Sequence, residues 1–183
     1  MVVELIALLA VVVLALVIVG SSVRVIQQST VGIVQRMGRY QRTLGPGVHL
    51  LVPMLDRINA NVDMKETVQA FPPQPVITQD NVTIGIDTVV YYQVTDAVKA
   101  TYEVANVLVA MEQLTVTTLR NVVGSMTLEE TLTSRDQINS QLRIVLDEAT
   151  EKWGVRVTRV ELKGVTALVI AAPDDRTEIP KET

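Results

Sequence analysis

Residues 80–94 read DNVTIGIDTVVYYQV, and their alternation decides the fold. After the turn signal Asp80-Asn81, the residues Val82, Ile84, Ile86, Thr88 and Val90 fall on one face, with Thr83, Gly85, Asp87 and Val89 on the other. A period of two over this length predicts a half-buried strand running to about Val94. Upstream, Pro72, Pro73 and Pro75 mark an extended, helix-free stretch. Before it, Val48–Val52 is apolar and ends at Pro53, Gly38 and Gly45-Pro46-Gly47 break the chain, and Ser22–Gln28 and Thr30–Arg36 are β-branched runs. Downstream the period changes. Asp96 is placed to cap a short helix through Tyr102. Asn106 is placed to cap a longer one, with Leu108, Met111, Leu114 or Thr115, Leu119 and Val122 on a stripe and Gly124 at its end. Ser134-Arg135-Asp136-Gln137 matches a capping box and opens a helix carrying Ile138, Leu142, Val145, Leu146, Ala149 and Trp153, with Gly154 as its stop. Val155–Leu162 reads as a strand whose apolar phase shifts between Val157 and Val160, the mark of a bulge or an edge. Strands followed by helices and a returning strand predict an α+β domain, an antiparallel sheet with helices packed on one side.

The apolar residues, 48% of the chain with a mean hydropathy of +0.32, concentrate at the N-terminus. Leu5–Val19 is an unbroken run of Leu, Ile, Val and Ala, about 22 Å long as a helix. With Val2, Val3 and Gly20–Val23 it reaches about the ~30 Å of a hydrocarbon core. It is expected to be a membrane anchor, either a single span or a shallow hairpin or in-plane insertion. A cleaved signal peptide is the competing reading; Val19-Gly20-Ser21 suits cleavage, but the basic n-region is missing. Arg24, Arg36, Arg39 and Arg42 follow the segment and no base precedes it, so the positive-inside rule puts the large domain in the cytoplasm. The expected organisation is an anchor over residues 1–22, a folded domain over 23–163 and a tail over 164–183.

Composition excludes much chemistry. The net charge is −4 with acids and bases interspersed, which argues against a nucleic-acid surface. There is no cysteine and a single histidine, His49, so thiolate sites are excluded and a Ser-His-Asp triad would depend on that residue. Gly45-Pro46-Gly47 lacks the Gly-Lys-Ser/Thr of a phosphate loop. Asp80 and Asp87, on one strand, would stand ~23 Å apart on opposite faces. The Ser–Lys pairings to check for a hydrolase are Ser125 and Ser134 with Lys152. No catalytic residue, cofactor or metal is expected. Arg36, Arg39 and Arg42 have two readings: a solvated strand-and-turn face, or an attraction to anionic headgroups of about 1 kcal/mol per base.

Five fragments in order resemble a known family. Gly32-Ile33-Val34-Gln35-Arg36-Met37-Gly38-Arg39, with Gly45-Pro46-Gly47-Val48-His49 and Pro53, resembles the opening of the band 7 domain. Val76-Ile77-Thr78-Gln79-Asp80-Asn81-Val82 is similar to its central signature. Leu114-Thr115-Val116-Thr117-Thr118-Leu119-Arg120 and Leu132-Thr133-Ser134-Arg135-Asp136 resemble its helical signatures, and Val157-Thr158-Arg159-Val160-Glu161-Leu162 its following strand. The chain thus resembles the stomatin/prohibitin (band 7, SPFH domain) family, in particular its prokaryotic stomatin-like branch. The resemblance implies a non-enzymatic scaffold on the plasma membrane of a prokaryote. It implies lateral homo-oligomers, organisation of lipids and modulation of membrane partners such as a protease or channel, with an NfeD-like membrane protein as a frequent companion. The family's long charged C-terminal helix is not found: Gly164–Ala172 is apolar, Pro173 and Pro180 exclude a continuous helix, and no heptads appear. A short member, or a chain truncated or altered near Lys163, is expected. Val165–Ala172 is expected to pair as an edge strand or to lie exposed. The alternatives are a membrane-associated serine-type protease and, with a cleaved N-terminus, a secreted β-rich binding domain.

Overall fold

The computed structural model describes residues 2–167, with some side chains of the first helix and that of Ala167 outside the description. Helix α1, Val2–Ser22, leads into five strands: β1 Val23–Ile26, β2 Thr30–Arg36, β3 Arg39–Leu44, β4 Gly47–Leu50 and β5 Asp56–Asp63. The long strands β6 Glu66–Ile77 and β7 Thr83–Val94 follow. Helices α2 Ala97–Tyr102, α3 Val107–Gly124, α4 Leu128–Thr133 and α5 Arg135–Glu151 come next, then strand β8 Val155–Ala167.

The strands divide into three antiparallel sheets, β1-β4, β3-β2-β5 and β6-β7-β8, where one sheet was expected. The reason is the two-residue link Met64–Lys65, across which the chain leaves one core for another. Ile26, Val34, Leu44 and Leu51 with Ile58 form a small core among the first five strands. Phe71, Ile84, Ile86, Val90, Met111, Leu119, Ile138, Leu142, Leu146 and Val160 belong to the larger one, where α3 and α5 cover one face of the β6-β7-β8 sheet. Helices thus pack on one side, as expected, but of the second sheet group only. Met64 is bonded to both modules: its N–H donates to the Ser29 carbonyl at 2.8 Å, and its carbonyl accepts from Gln93 Nε2 at 2.7 Å. Tyr102 adds an exposed bridge, accepting from Gln35 Nε2 at 2.9 Å and meeting the Tyr40 ring edge-on at 6.2 Å.

The proline stretch is strand β6. It sits at a sheet edge, and its register with β7 jumps between Phe71 and Gln74, where Pro72 and Pro73 have no N–H to give. β8 is the opposite edge, and its register slips between Tyr91 and Tyr92 on β7, leaving Thr158 as the bulged residue that the phase shift predicts. β8 runs on past Lys163 to Ala167, paired with Ile84–Asp87. The rest of the tail, residues 168–183 with Pro173 and Pro180, lies outside the described residues.

Two helix caps are as expected: Asp96 accepts from Val98 and Lys99 N–H, and Asn106 from Leu108 and Val109 N–H. The capping box at Ser134 is overturned. Ser134 makes no side-chain cap bond, because it also ends α4 and its backbone (φ −102°, ψ 31°) is not extended. The box lies at Thr127 and Glu130, opening α4, a helix the periodicity missed. The stripe expected on α3 holds at Met111, Thr115 and Leu119, and Leu114 and Val122 pack against the same core. Met111, Thr115, Thr118, Leu119 and Val123 are buried, whereas Leu108 is exposed.

Candidate membrane-facing site

The β1-β4 ribbon is inside out. Its register pairs Val23 with Leu50, Arg24 with His49 and Val25 with Val48, so Val23, Val25, Val48 and Leu50 share a face. That face is open: Val25 and Val48 are each 70% exposed and Leu50 68%. The other face turns inward, with Ile26 buried in the small core and His49 Nε2 bonded to the Gly45 carbonyl at 2.8 Å. His49 is therefore a structural residue of the Gly-Pro-Gly turn. The apolar face continues into the loop after β4, where Val52, Met54 and Leu55 are exposed, Met54 entirely. Leu51 N–H donates to the Ser22 carbonyl at 2.8 Å, which fastens this ledge to the foot of α1. Monomeric soluble domains seldom expose contiguous apolar patches of this kind, and such patches mark interaction sites.

The three arginines singled out in the sequence do not act alike. Arg36 is tied to Asp56 by two bonds, Nε–Oδ1 at 2.6 Å and Nη2–Oδ2 at 3.0 Å. The Asp56 side chain is almost fully enclosed and also accepts from Val52 N–H at 3.1 Å. The Arg36 guanidinium, and then the Val52 amide, hold the Asp56 carboxyl below the usual aspartate range. The Arg36 charge is thus neutralised within the protein. Arg42 donates to the Leu50 carbonyl at 2.9 Å, which puts its charge at the rim of the ledge. Arg39 is exposed and faces Arg36 across the β2-β3 turn, where Met37 (φ 50°) and Gly38 (φ 82°) take left-handed conformations. Met37 is 85% exposed at this tip, and because Arg36 pairs with Asp56 in the β2-β5 register, the tip and the 52–55 loop share one end of the module. Sequence reasoning missed the ledge itself. Its signal was the alternation of Val23–Arg24–Val25 and Val48–His49–Leu50, which yields two faces without saying which is covered.

The Ser–Lys pairings do not converge. Ser134 and Lys152 bracket α5, about 27 Å apart at 1.5 Å per residue. Ser125 lies by the start of β7, where Gln79 N–H donates to the Met126 carbonyl, and Lys152 lies by its end, where Thr95 N–H donates to Gly154. Twelve residues of strand separate those ends, roughly 37 Å. Asp80 is a structural tie: it accepts from the Thr78 hydroxyl and from Leu128 N–H at 3.2 Å, binding the turn before β7 to the start of α4. The Thr78 hydroxyl chiefly lowers its pKa. Among the described residues no three His, Asp or Glu side chains gather as for a metal ion.

Among the described residues no helix is long and apolar enough to cross a membrane, several side chains of α1 lying outside the description. The described large apolar side chains of α1, Ile6, Leu8, Leu9, Val12, Val13, Leu16 and Val17, are exposed.

Comparison with known proteins matches this architecture. The model of the SPFH domain / Band 7 family covers residues 24–168. An uncharacterized protein of Mycobacterium tuberculosis is 58% identical over 161 residues, 88% of this chain and 42% of that protein. An uncharacterized protein of Methanocaldococcus jannaschii is 41% identical, covering 84% of this chain and 76% of its own length. A stomatin homolog of Pyrococcus horikoshii is 38% identical over 150 residues, 82% of this chain and 56% of that protein. The chain therefore spans less than half the length of the mycobacterial relative it matches. With three antiparallel sheets, helices on one of them and a match along most of its length, the chain belongs to the SPFH domain / Band 7 family.

Proposed function

We propose that this protein is a non-enzymatic, membrane-anchored scaffold. In this reading α1 inserts into the bilayer, and the first five strands sit on the headgroup layer with the folded domain in the cytoplasm. The helical module meets neighbouring copies, and the assembly organises lipids or modulates a membrane partner such as a protease, a channel or an NfeD-like protein. One observation carries the reading: the ribbon at the foot of α1 turns its apolar face outward, in line with a helix whose described apolar side chains are also uncovered. Over its full sequence α1 has 21 residues, about 31 Å of helix, with Glu4 as its single charge. Each large aliphatic side chain moved from water into lipid gains roughly 1.5–3 kcal/mol, so the ledge adds to the anchor's hold on the membrane. Arg39 and Arg42 supply the attraction to anionic headgroups; Arg36 contributes little, since Asp56 already neutralises it.

The chain has no cysteine, so one introduced label is unambiguous. The full chain, reconstituted in vesicles and carrying an environment-sensitive fluorophore at Met54→Cys or, separately, Glu148→Cys, is exposed to a lipid-borne quencher. Met54→Cys should be quenched and Glu148→Cys should not. An unquenched label at Met54 would remove the ledge from the membrane. Equal quenching in the Arg39→Gln/Arg42→Gln and parent backgrounds would remove the arginines.

A further inference from the structure

Beside the ledge lies a cleft of about 530 Å³ between the α1–β1 junction and β5. We infer that it is a binding site for the headgroup of one anionic phospholipid. The inference rests on the membrane reading above and goes beyond it by naming a ligand and the residues that hold it. Arg24, from the ribbon's inward face, and Arg57, from the exposed face of β5, both line the cleft. Neither forms an ion pair or hydrogen bond among the described residues. Among the described residues the one carboxylate lining the cleft, Asp56, is already engaged by Arg36 and by Val52 N–H, so it does not cancel them. Two unpartnered guanidiniums beside a neutralised carboxylate leave a positive recess, and guanidinium forks suit phosphate oxygens. Asn61, on the same face of β5 as Arg57, adds an amide.

The mouth distinguishes a lipid from a free anion. Val25 and Met54 line the cleft and are also exposed residues of the ledge, so the positive recess opens directly onto the apolar surface. A phospholipid joins a phosphate to acyl chains in that order. A free phosphate has no use for the apolar lip, and a nucleotide would want an aromatic to stack on, which none of the described lining residues provides. The volume falls within the roughly 300–1,000 Å³ of ordinary small-ligand sites. Leu51 N–H bonded to the Ser22 carbonyl holds the cleft at the end of α1, the depth at which headgroups lie when that helix is inserted.

The test uses the full chain in phosphatidylcholine vesicles doped with photoactivatable phosphatidylglycerol or, separately, photoactivatable phosphatidylcholine. Phosphatidylglycerol should label the Met54 peptide in preference to phosphatidylcholine. Arg24→Gln/Arg57→Gln should lower that labelling about 30-fold, the loss of two near-surface bases, and Arg24→Lys/Arg57→Lys should restore most of it. Labelling of α1 and the thermal midpoint should stay as in the parent. Undiminished labelling of Met54 in the glutamine variant, or no preference between the two lipids, would overturn the site while leaving the membrane reading intact. Displacement of the phosphatidylglycerol by excess inorganic phosphate would overturn the lipid assignment in favour of a free-anion site. Failure of both lipids to label α1 would overturn the membrane reading and the site with it.

Discussion

Gly154→Ala should be among the most damaging single-methyl additions in this chain, and its effect separates two physical causes. Gly154 sits after α5 with φ +67°, a conformation that raises the energy of a non-glycine residue by roughly 1–2 kcal/mol. An added Cβ would also stand 2.6 Å from the Asp96 carbonyl oxygen, 2.7 Å from Asp96 Cβ and 3.0 Å from Lys99 Cβ. The first of these is backbone and cannot swing aside. The displaced segment carries three bonds to the Gly154 carbonyl, from Thr95 N–H at 2.9 Å, Asp96 N–H at 3.0 Å and the Thr95 hydroxyl at 3.1 Å. It also carries the Asp96 cap on α2. Weakening two of those bonds at about 1 kcal/mol each brings the total to roughly 3–4 kcal/mol. A domain of this size should then melt roughly 10 °C lower. Gly38 is the control: its φ is +82°, but a Cβ there meets nothing within 4 Å, so Gly38→Ala carries the backbone term alone. Thermal unfolding of both variants of the full chain in mild detergent, followed by circular dichroism, makes the comparison. Midpoints for Gly154→Ala and Gly38→Ala that agree within about 3 °C would refute the steric argument.

The capping correction has its own pair of variants. Thr127→Ala should destabilise by about 1 kcal/mol, whereas Ser134→Ala should be nearly neutral because its hydroxyl caps nothing; the reverse order in urea midpoints would reinstate the box at Ser134. Acid should unfold the protein partly through Asp56 and Asp80. Both pKa values lie below the ordinary aspartate range, Asp56 through Arg36 and Asp80 through the Thr78 hydroxyl. A carboxyl lowered in the fold stabilises it fully above the unfolded value, about pH 4, and that contribution is lost as pH falls through the lower folded value. The parent's urea midpoint should therefore fall more steeply below about pH 4 than that of Asp56→Asn/Asp80→Asn; parallel curves would exclude these two groups.

What could be read from the sequence was what depends on neighbours along the chain. The β7 alternation, the Asp96 and Asn106 caps, the buried positions Ile138, Leu142 and Leu146 and the bulge near Thr158 are all set by side-chain period, cap chemistry or local phase. The capping box failed at Ser134 because α4 ends on the same residue, a fact that the four-residue pattern does not contain. The N-terminal apolar run and the five ordered motifs likewise lie in consecutive residues, and the motifs sufficed for the family.

Tertiary structure decided everything that depends on which distant strand comes alongside. Val23–Arg24–Val25 presents two faces, and only pairing with residues 47–50 and burial of Ile26 send the apolar one outward. Arg36, Arg39 and Arg42 look equivalent in one dimension. Asp56, twenty residues along the chain, neutralises the first, while the Leu50 carbonyl places the last at the ledge. Arg24 and Arg57, far apart in the sequence, gave no sign that they would line one cleft until the chain had folded. Local periodicity fixes the conformation of each element because its forces act between residues a turn or a pleat apart. Which surface stays uncovered, and which charge stays free, is set by contacts between segments far apart in the chain, and those exist only once it has folded.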